Sequence, residues 1–261
     1  MPRIDTIVSP DIVQAVLGDM AHCVVPVRQD IIDAHALVLT RLALPGTWWT
    51  GRERVAIAAE ARVARHCHLC AERKAALSPS MVTGAHQTDA QRSGVLPDEI
   101  IDLVHFSIND APRMTPETIA SVYAAKLTEA YFVEALGIAV AQRSMDQTCF
   151  GLGVPLHNLP DPQPGEPTRI LPETTTGKAF VPMMGAGQPA PPNDDLWGDV
   201  TAYGLQALSL VPDAVRDLLV LSGAQYITMD KAFDFSQGRT LTRAQMEMLA
   251  GRVSAINDCF Y

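Results

Sequence analysis

The chain has 261 residues, 48% of them hydrophobic and 19% charged, and its 20 Lys and Arg against 29 Asp and Glu give a formal net charge of −9. That is enough chain for one large domain or two small ones with a real core, and the hydrophobic content argues against wholesale disorder. The acidic balance argues against nucleic acid as the main partner, because phosphate binding needs clustered Lys and Arg, and no apolar run approaches the ~18 residues of a membrane span. The N-terminal MPRIDTIVSPD lacks the basic-then-apolar layout of a signal peptide, so a cytoplasmic protein is expected.

Ser9-Pro10-Asp11 opens a helix whose apolar face is Ile12, Val13, Val16, Leu17 and Met20. Ile31, Ile32, His35, Leu39 and Leu42 continue the helical period until Pro45-Gly46 breaks it. Trp48-Trp49 form a short aromatic loop. They are read as packing under the next helix, with a substrate-pocket wall as the alternative. Thr50 with Glu53 makes a capping box, followed by RERVAIAAEARVARHCHLCAERKAAL in helix-forming density as far as Ser78-Pro79. Apolar residues cover much of its circumference, so it is expected to be central, with Cys67-His68-Leu69-Cys70 inside it or at a break within it. Residues 80–95 read as a loop. Further helices open at Leu96-Pro97-Asp98, at Thr115-Pro116-Glu117 and at Thr128-Glu129. No run shows sustained period-2 alternation, so the fold class is all-α.

Ten of the 19 prolines fall between Pro155 and Pro192, which excludes helix and central strand there. That stretch reads as an extended arm over the surface or a linker between two halves. The expected organisation is residues 1–154 as an N-terminal helical half, 155–195 as the arm and 196–261 as a C-terminal helical half. In the last of these, helices cover Tyr203–Leu210 and Pro212–Leu221, and another opens at Leu241-Thr242-Arg243.

Five cysteines are too few for a disulfide scaffold in a chain this long. Cys23 and Cys149 read as buried thiols. Cys67 and Cys70 form a CxxC, whose spacing in a reducing compartment suggests redox chemistry or a metal. Three residues on a helix turn through about 300°, which puts both thiols on one face within disulfide reach. Arg65, His66, His68, Arg73 and Lys74 supply the positive surroundings that favour thiolate. A c-type haem is rejected because Ala71 stands where its His would be. Structural zinc would need a second ligand pair at suitable spacing, and the other Cys and His are scattered, so no metal set is read. Gly151-x-Gly153 follows no strand and is no phosphate loop. His22 and His35 read as core or interface residues, and Met183, Met184, Met246 and Met248 as gap-fillers.

An offset of 192 lays Thr242 over Thr50, Leu249 over Ile57, Ala250 over Ala58 and Cys259 over Cys67. Each Thr cap is followed by a cysteine 17 residues on, which favours a duplicated helical module. On these features the chain resembles the AhpD-like alkylhydroperoxidase and carboxymuconolactone decarboxylase superfamily, and within it the duplicated, peroxidase-related members. The resemblance rests on TGRERVAIAAEARVARHCHLC and LTRAQMEMLAGRVSAINDCFY, and on the intervening LPDEIIDLVHF, YFVEALGIAV and LGVPLHNLPDPQPGEP. The superfamily pattern is Glu, eleven residues, CxxC, three residues, His. The first half departs from it with Val55 and Lys74 at the Glu and His positions. The second half has Glu247 twelve before Cys259, and its second cysteine and histidine would lie past Tyr261. Natural degeneracy, truncation and an in-frame UGA read as selenocysteine all give this ending.

The resemblance implies an AhpD-like helical fold, no bound cofactor, a homo-oligomer (dimer or larger), a peroxide or small organic substrate and a thiol electron donor. It implies that Cys70 attacks the peroxide and Cys67 resolves it as a disulfide. A proton relay is also needed. From spacing, Glu60 stands in for the absent glutamate, and His68 or His105 for the absent histidine. Glu247 and Cys259 are the corresponding candidates in the second half. The alternatives are a carboxymuconolactone decarboxylase-like lyase, which works by acid–base residues without the cysteines, and a catalytically degenerate oligomeric scaffold.

Overall fold

The structure, a computed structural model, describes residues 6–175, 179–187, 189–198, 201–231, 234–236, 240–257 and 259. Among them the regular structure is ten α-helices with a few single 3-10 turns, and no strand beyond one isolated bridge, Thr175 to Met183. The all-α expectation holds. No helix among the described residues is long and apolar enough to cross a membrane.

In chain order the helices are α1 (Pro10–Met20), α2 (Gln29–Ala43), α3 (Gly51–Ala64), α4 (His68–Ala75), α5 (Asp98–Asp110), α6 (Pro116–Ala124), α7 (Glu129–Leu152), α8 (Tyr203–Leu208), α9 (Pro212–Gln225) and α10 (Arg243–Ile256). Most of their starts follow the sequence signals. The Thr50–Glu53 capping box is formed, with Thr50 N–H donating to Glu53 Oε2 at 2.8 Å. Gly153 closes α7 at φ +68°, a left-handed position that glycine takes without strain.

The helix-forming stretch through the CxxC is two helices. α3 ends at Ala64, residues 65 and 66 turn, and Cys67 becomes the N-cap of α4 with extended backbone (φ −69°, ψ 119°). Of the two placements open to the CxxC, the structure shows the break. Composition could not reveal it, because Arg65-His66-Cys67-His68 are all tolerated in helices.

α3 and α7 lie at the centre, α3 packed on α5 and α7, and α7 on α9. α3 is buried around most of its circumference, from Val55 and Ile57 to Glu60 and Ala64, as its Ala-rich sequence predicts. Gly137 lets α7 approach α9 closely, since a Cβ there would stand 2.6 Å from Ala214 Cβ. One apolar cluster runs from Val16 to Ala224, so α8 and α9 share their core with the first half of the chain. Within it, ion pairs join the helices: the buried pairs of Arg54 with Glu134 (α3–α7) and Arg41 with Asp217 at 2.9 Å (α2–α9), and half-buried Arg62 with Asp146 at 2.8 Å (α3–α7).

Through residues 163–169 the proline-rich arm, without regular secondary structure, is bonded to the first half. Gln163 N–H donates to Ala43 O at 2.8 Å, Thr168 to Gly46 O at 3.1 Å and Arg169 to Thr47 O at 2.9 Å. The Arg169 guanidinium lies over the rings of Trp48 and Tyr131. Trp49 is buried, with Nε1 bonded to Tyr131 O at 3.0 Å, which is the packing role expected of it.

α10 matches α3 in length, 14 residues each, and Thr242 forms a capping box with Gln245. Its burial is the opposite. Arg243 is the residue α10 buries, while Leu249, Val253 and Ile256 are exposed, as is Met248, which is therefore no gap-filler. Phe260 and Tyr261, where the second half was expected to break off, lie outside the described residues.

Candidate active site

The site forms where α3, α4, α5 and the loop of residues 76–97 meet. Cys67 is the N-cap residue of α4 and Cys70 sits in its first turn, where the helix dipole favours a negative sulfur. The two cysteines are reduced, near 3.7 Å apart and almost fully buried. A small separate apolar cluster of Cys67, Leu69 and Cys70 packs under Val82.

Two imidazoles reach the sulfurs. α5 buries Ile100, Leu103 and Val104, and the same face carries His105, which is 0% exposed. Its Nδ1 lies 3.4 Å from Cys70 Sγ, and its Nε2 lies 3.4 Å from Glu60 Oε2. Glu60, on α3, is itself 3% exposed and accepts from Asp89 N–H at 2.9 Å. The second imidazole is His86. Its Nδ1 lies 3.4 Å from both Cys67 Sγ and Cys70 Sγ, and its Nε2 lies 2.6 Å from Asp102 Oδ1. Arg73 NH1 stands 3.5 Å from the same carboxylate. The loop that delivers His86 is pinned. Gln87 accepts from His68 N–H at 3.0 Å, and Val82 O accepts from Arg73 Nε at 3.2 Å. Two carboxylate–imidazole–thiol lines, Glu60–His105–Cys70 and Asp102–His86–Cys67/Cys70, converge on one pair of sulfurs.

The electrostatics follow from these contacts. Burial pushes the Cys67 thiol up, but bonds from His86 and from the N–H groups of Cys70 and Gln87 outweigh it and bring it to about 6. Burial likewise pushes Cys70 up, and His105 and His86 bring it below the usual thiol range. Hydrogen bonds to Asp102 and Cys70 raise His86 to about 10. Burial lowers His105, and its bonds to Cys70 and Glu60 reverse that, to about 9. His86 in turn holds Asp102 below the usual carboxylate range. Thiolate facing imidazolium is the favoured arrangement at neutral pH.

A cavity of about 280 Å³ opens onto Cys70, with His86, His105, Leu103, Phe106 and Asn109 among its walls. Trp48 and Trp49 do not line it.

Of the residues singled out from sequence, Cys67, Cys70, Glu60 and His105 come together. His68 does not; it is 79% exposed and faces Glu72 at 3.6 Å. Glu247 pairs with Arg243 at 2.5 Å and with the Tyr226 hydroxyl, and Cys259 is exposed just past α10; neither joins the cluster. Val55 is core and Lys74 is exposed. His86, Asp102 and Arg73 were not assigned roles in the relay. The one local signal was Asp102 three residues before His105 on the same helix, one turn apart.

The absence of a readable metal set rested on scattered histidines. Folding gathers two of them, and Cys67, Cys70, His86 and His105 place their ligand atoms within 4.8 Å of one another. A second gathering, His35, Cys149 and His157, is wholly buried. There burial and His157 push His35 down to about 3, and burial pushes Cys149 up to about 11, so both are neutral packing groups.

No protein-family model matches the chain, and no match was found among curated proteins or solved structures.

Proposed function

We propose that this chain is a thiol-dependent hydroperoxide reductase of the AhpD-like kind, working without a bound cofactor. One observation carries the reading: Cys70 lines the cavity, and its sulfur is the end of the buried Glu60–His105 line. A peroxidatic thiolate needs substrate access on one side and a proton donor on the other.

In the reaction the Cys70 thiolate attacks the terminal peroxide oxygen. The O–O bond breaks, His105 gives its proton to the departing alkoxide or hydroxide, and Cys70 becomes a sulfenic acid. The Cys67 thiolate then attacks that sulfur, hydroxide leaves as water with a proton from His86, and a Cys67–Cys70 disulfide forms. An external dithiol reduces it, returning both protons and both electrons. The cavity volume and its Leu103 and Phe106 walls suit hydrogen peroxide or a small organic hydroperoxide.

The test is peroxide consumption by reduced, chelator-treated protein with dithiothreitol, using hydrogen peroxide and cumene hydroperoxide. Cys70→Ser is expected to abolish turnover, and Cys67→Ser, reduced and then freed of dithiothreitol, to consume one equivalent and hold a sulfenic acid trappable by dimedone. Wild-type turnover no greater than that of Cys70→Ser overturns the reading. Lactone decarboxylation that survives loss of both cysteines would instead support the lyase.

A further inference from the structure

We propose that Cys67, Cys70, His86 and His105 also form a closed Cys2His2 site for Zn2+, and that occupation of this site switches the peroxidatic thiols off. The switching part rests on the peroxide reading above; the metal site itself does not.

The first support is distance. With Zn–S near 2.3 Å and Zn–N near 2.05 Å, a tetrahedral S2N2 site sets sulfur and nitrogen about 3.5 Å apart and the two sulfurs about 3.8 Å apart. The three sulfur–Nδ1 contacts are 3.4 Å each, and the cysteines are near 3.7 Å apart. A disulfide, by contrast, needs sulfurs about 2.05 Å apart. Four of the six separations among the donors thus match those of a tetrahedral S2N2 site, and all six lie within 4.8 Å.

The second support is the outer shell. Both histidines present the same nitrogen, Nδ1, to the sulfurs, and both commit Nε2 to a carboxylate: His86 to Asp102 at 2.6 Å and His105 to Glu60 at 3.4 Å. A carboxylate accepting the far N–H fixes the ring and makes the near nitrogen a better donor, which is the usual support of a zinc-bound histidine. Two thiolates balance the dication, and the pair of outer carboxylates adds further attraction.

The donor set selects the metal. Thiolate with imidazole in a tetrahedral arrangement suits Zn2+, whereas Mg2+ and Ca2+ take oxygen ligands. Cys67, Cys70 and His105 are buried, and the cavity reaching Cys70, His86 and His105 supplies a way in. With four protein ligands no position remains for water, so the bound metal has no hydrolytic role. Both sulfurs and the proton-donating nitrogens are then held by the metal, and none can serve a peroxide.

The experiment titrates Zn2+ alone into reduced, chelator-stripped protein against a chromophoric chelator, with circular dichroism and peroxide turnover followed in parallel. Expected are one Zn2+ per chain, unchanged helix content, and turnover lost in step with binding and regained on chelation. Asp102→Asn, which keeps all four ligands, is expected to weaken Zn2+ binding about 10–100-fold. Cys67→Ser with His86→Ala is expected to remove it while retaining the helical spectrum. Zn2+ that fails to compete with the chromophore, or that binds equally to the double variant, overturns the site. Stoichiometric binding with full turnover overturns the switch and leaves the peroxide reading standing. Binding to a stripped protein that never turns over peroxide overturns the peroxide reading and the switch together, and leaves the site.

Discussion

His105 Nε2 lies 3.4 Å from Glu60 Oε2 across the α3–α5 contact, while its Nδ1 lies 3.4 Å from Cys70 Sγ. One buried ring thus connects a carboxylate to a thiol, and the carboxylate helps keep that ring protonated. Glu60→Gln removes the charge and keeps the shape. The sign follows directly: without its anionic partner His105 loses its proton at lower pH, less positive charge faces Cys70, and the Cys70 thiol rises. Turnover in chelator is expected to fall about 100-fold, with His105→Ala no worse than about tenfold beyond that and the double variant no worse than His105→Ala. Glu60→Gln turning over within twofold of wild type would remove the relay from the mechanism.

The Cys67 thiol, brought to about 6, and the Cys149 thiol, pushed by burial to about 11, are separated by their surroundings. In reduced protein with chelator, ultraviolet thiolate absorbance is expected to rise through a step near pH 6 that Cys67→Ser removes. Cys149→Ser leaves that step in place. A thiol whose folded value is depressed adds stability above its unfolded value, and that contribution is lost as pH falls through the folded one. Reduced wild type is therefore expected to lose stability relative to Cys67→Ser as pH drops from about 9 to about 6. A pH-independent difference between the two in denaturant titrations would contradict the assignment.

The all-α class, most helix starts and the arm were legible because they rest on local signals: caps, prolines and a 3.6-residue period. Thr50, Thr242, Pro97 and Pro116 each mark a boundary the structure keeps to within a residue or two. The break at Cys67 was not decided, since it follows from how α4 must leave α3 to meet α5, a tertiary demand with no local mark. Glu60 is a candidate because it stands two turns before Cys67 in the sequence, and His105 because the resemblance covers the LVHF stretch. His86 has no such mark, because it sits in a loop with no period, and only the pinning of that loop by Glu60, Gln87 and Arg73 gives it a position. His68 was attractive by proximity in sequence, yet residue 68 points away from the sulfurs once Cys67 is a cap.

Glu134 carries the next test. It is buried on α7, holds Arg54 of α3 and accepts from Trp48 N–H at 2.5 Å. Glu134→Ala leaves a buried guanidinium without that carboxylate and an orphaned amide, and is expected to cost about 3–5 kcal/mol. Glu134→Gln keeps a bond acceptor and is expected to cost less. The midpoint of urea unfolding at constant slope reads both. A loss under about 1 kcal/mol for Glu134→Ala would mean that the Arg54–Glu134 pair adds little to the α3–α7 contact.

His68, Glu247 and Cys259 were candidates by spacing, and the fold sets each apart from the sulfurs. His68 is largely solvated beside Glu72, Glu247 serves Arg243 and Tyr226, and Cys259 follows a helix whose apolar residues are mostly exposed. If the chemistry belongs to the Cys67–Cys70 cluster alone, His68→Ala, Glu247→Gln and Cys259→Ser each keep peroxide turnover within about twofold, because none removes a proton donor or a thiol from the relay. A change of tenfold or more in Glu247→Gln or Cys259→Ser would give α10 a part in the reaction. Comparing kcat and KM would then show whether that part lies in binding or in proton transfer, because loss of a proton donor lowers kcat whereas loss of uniform binding raises KM.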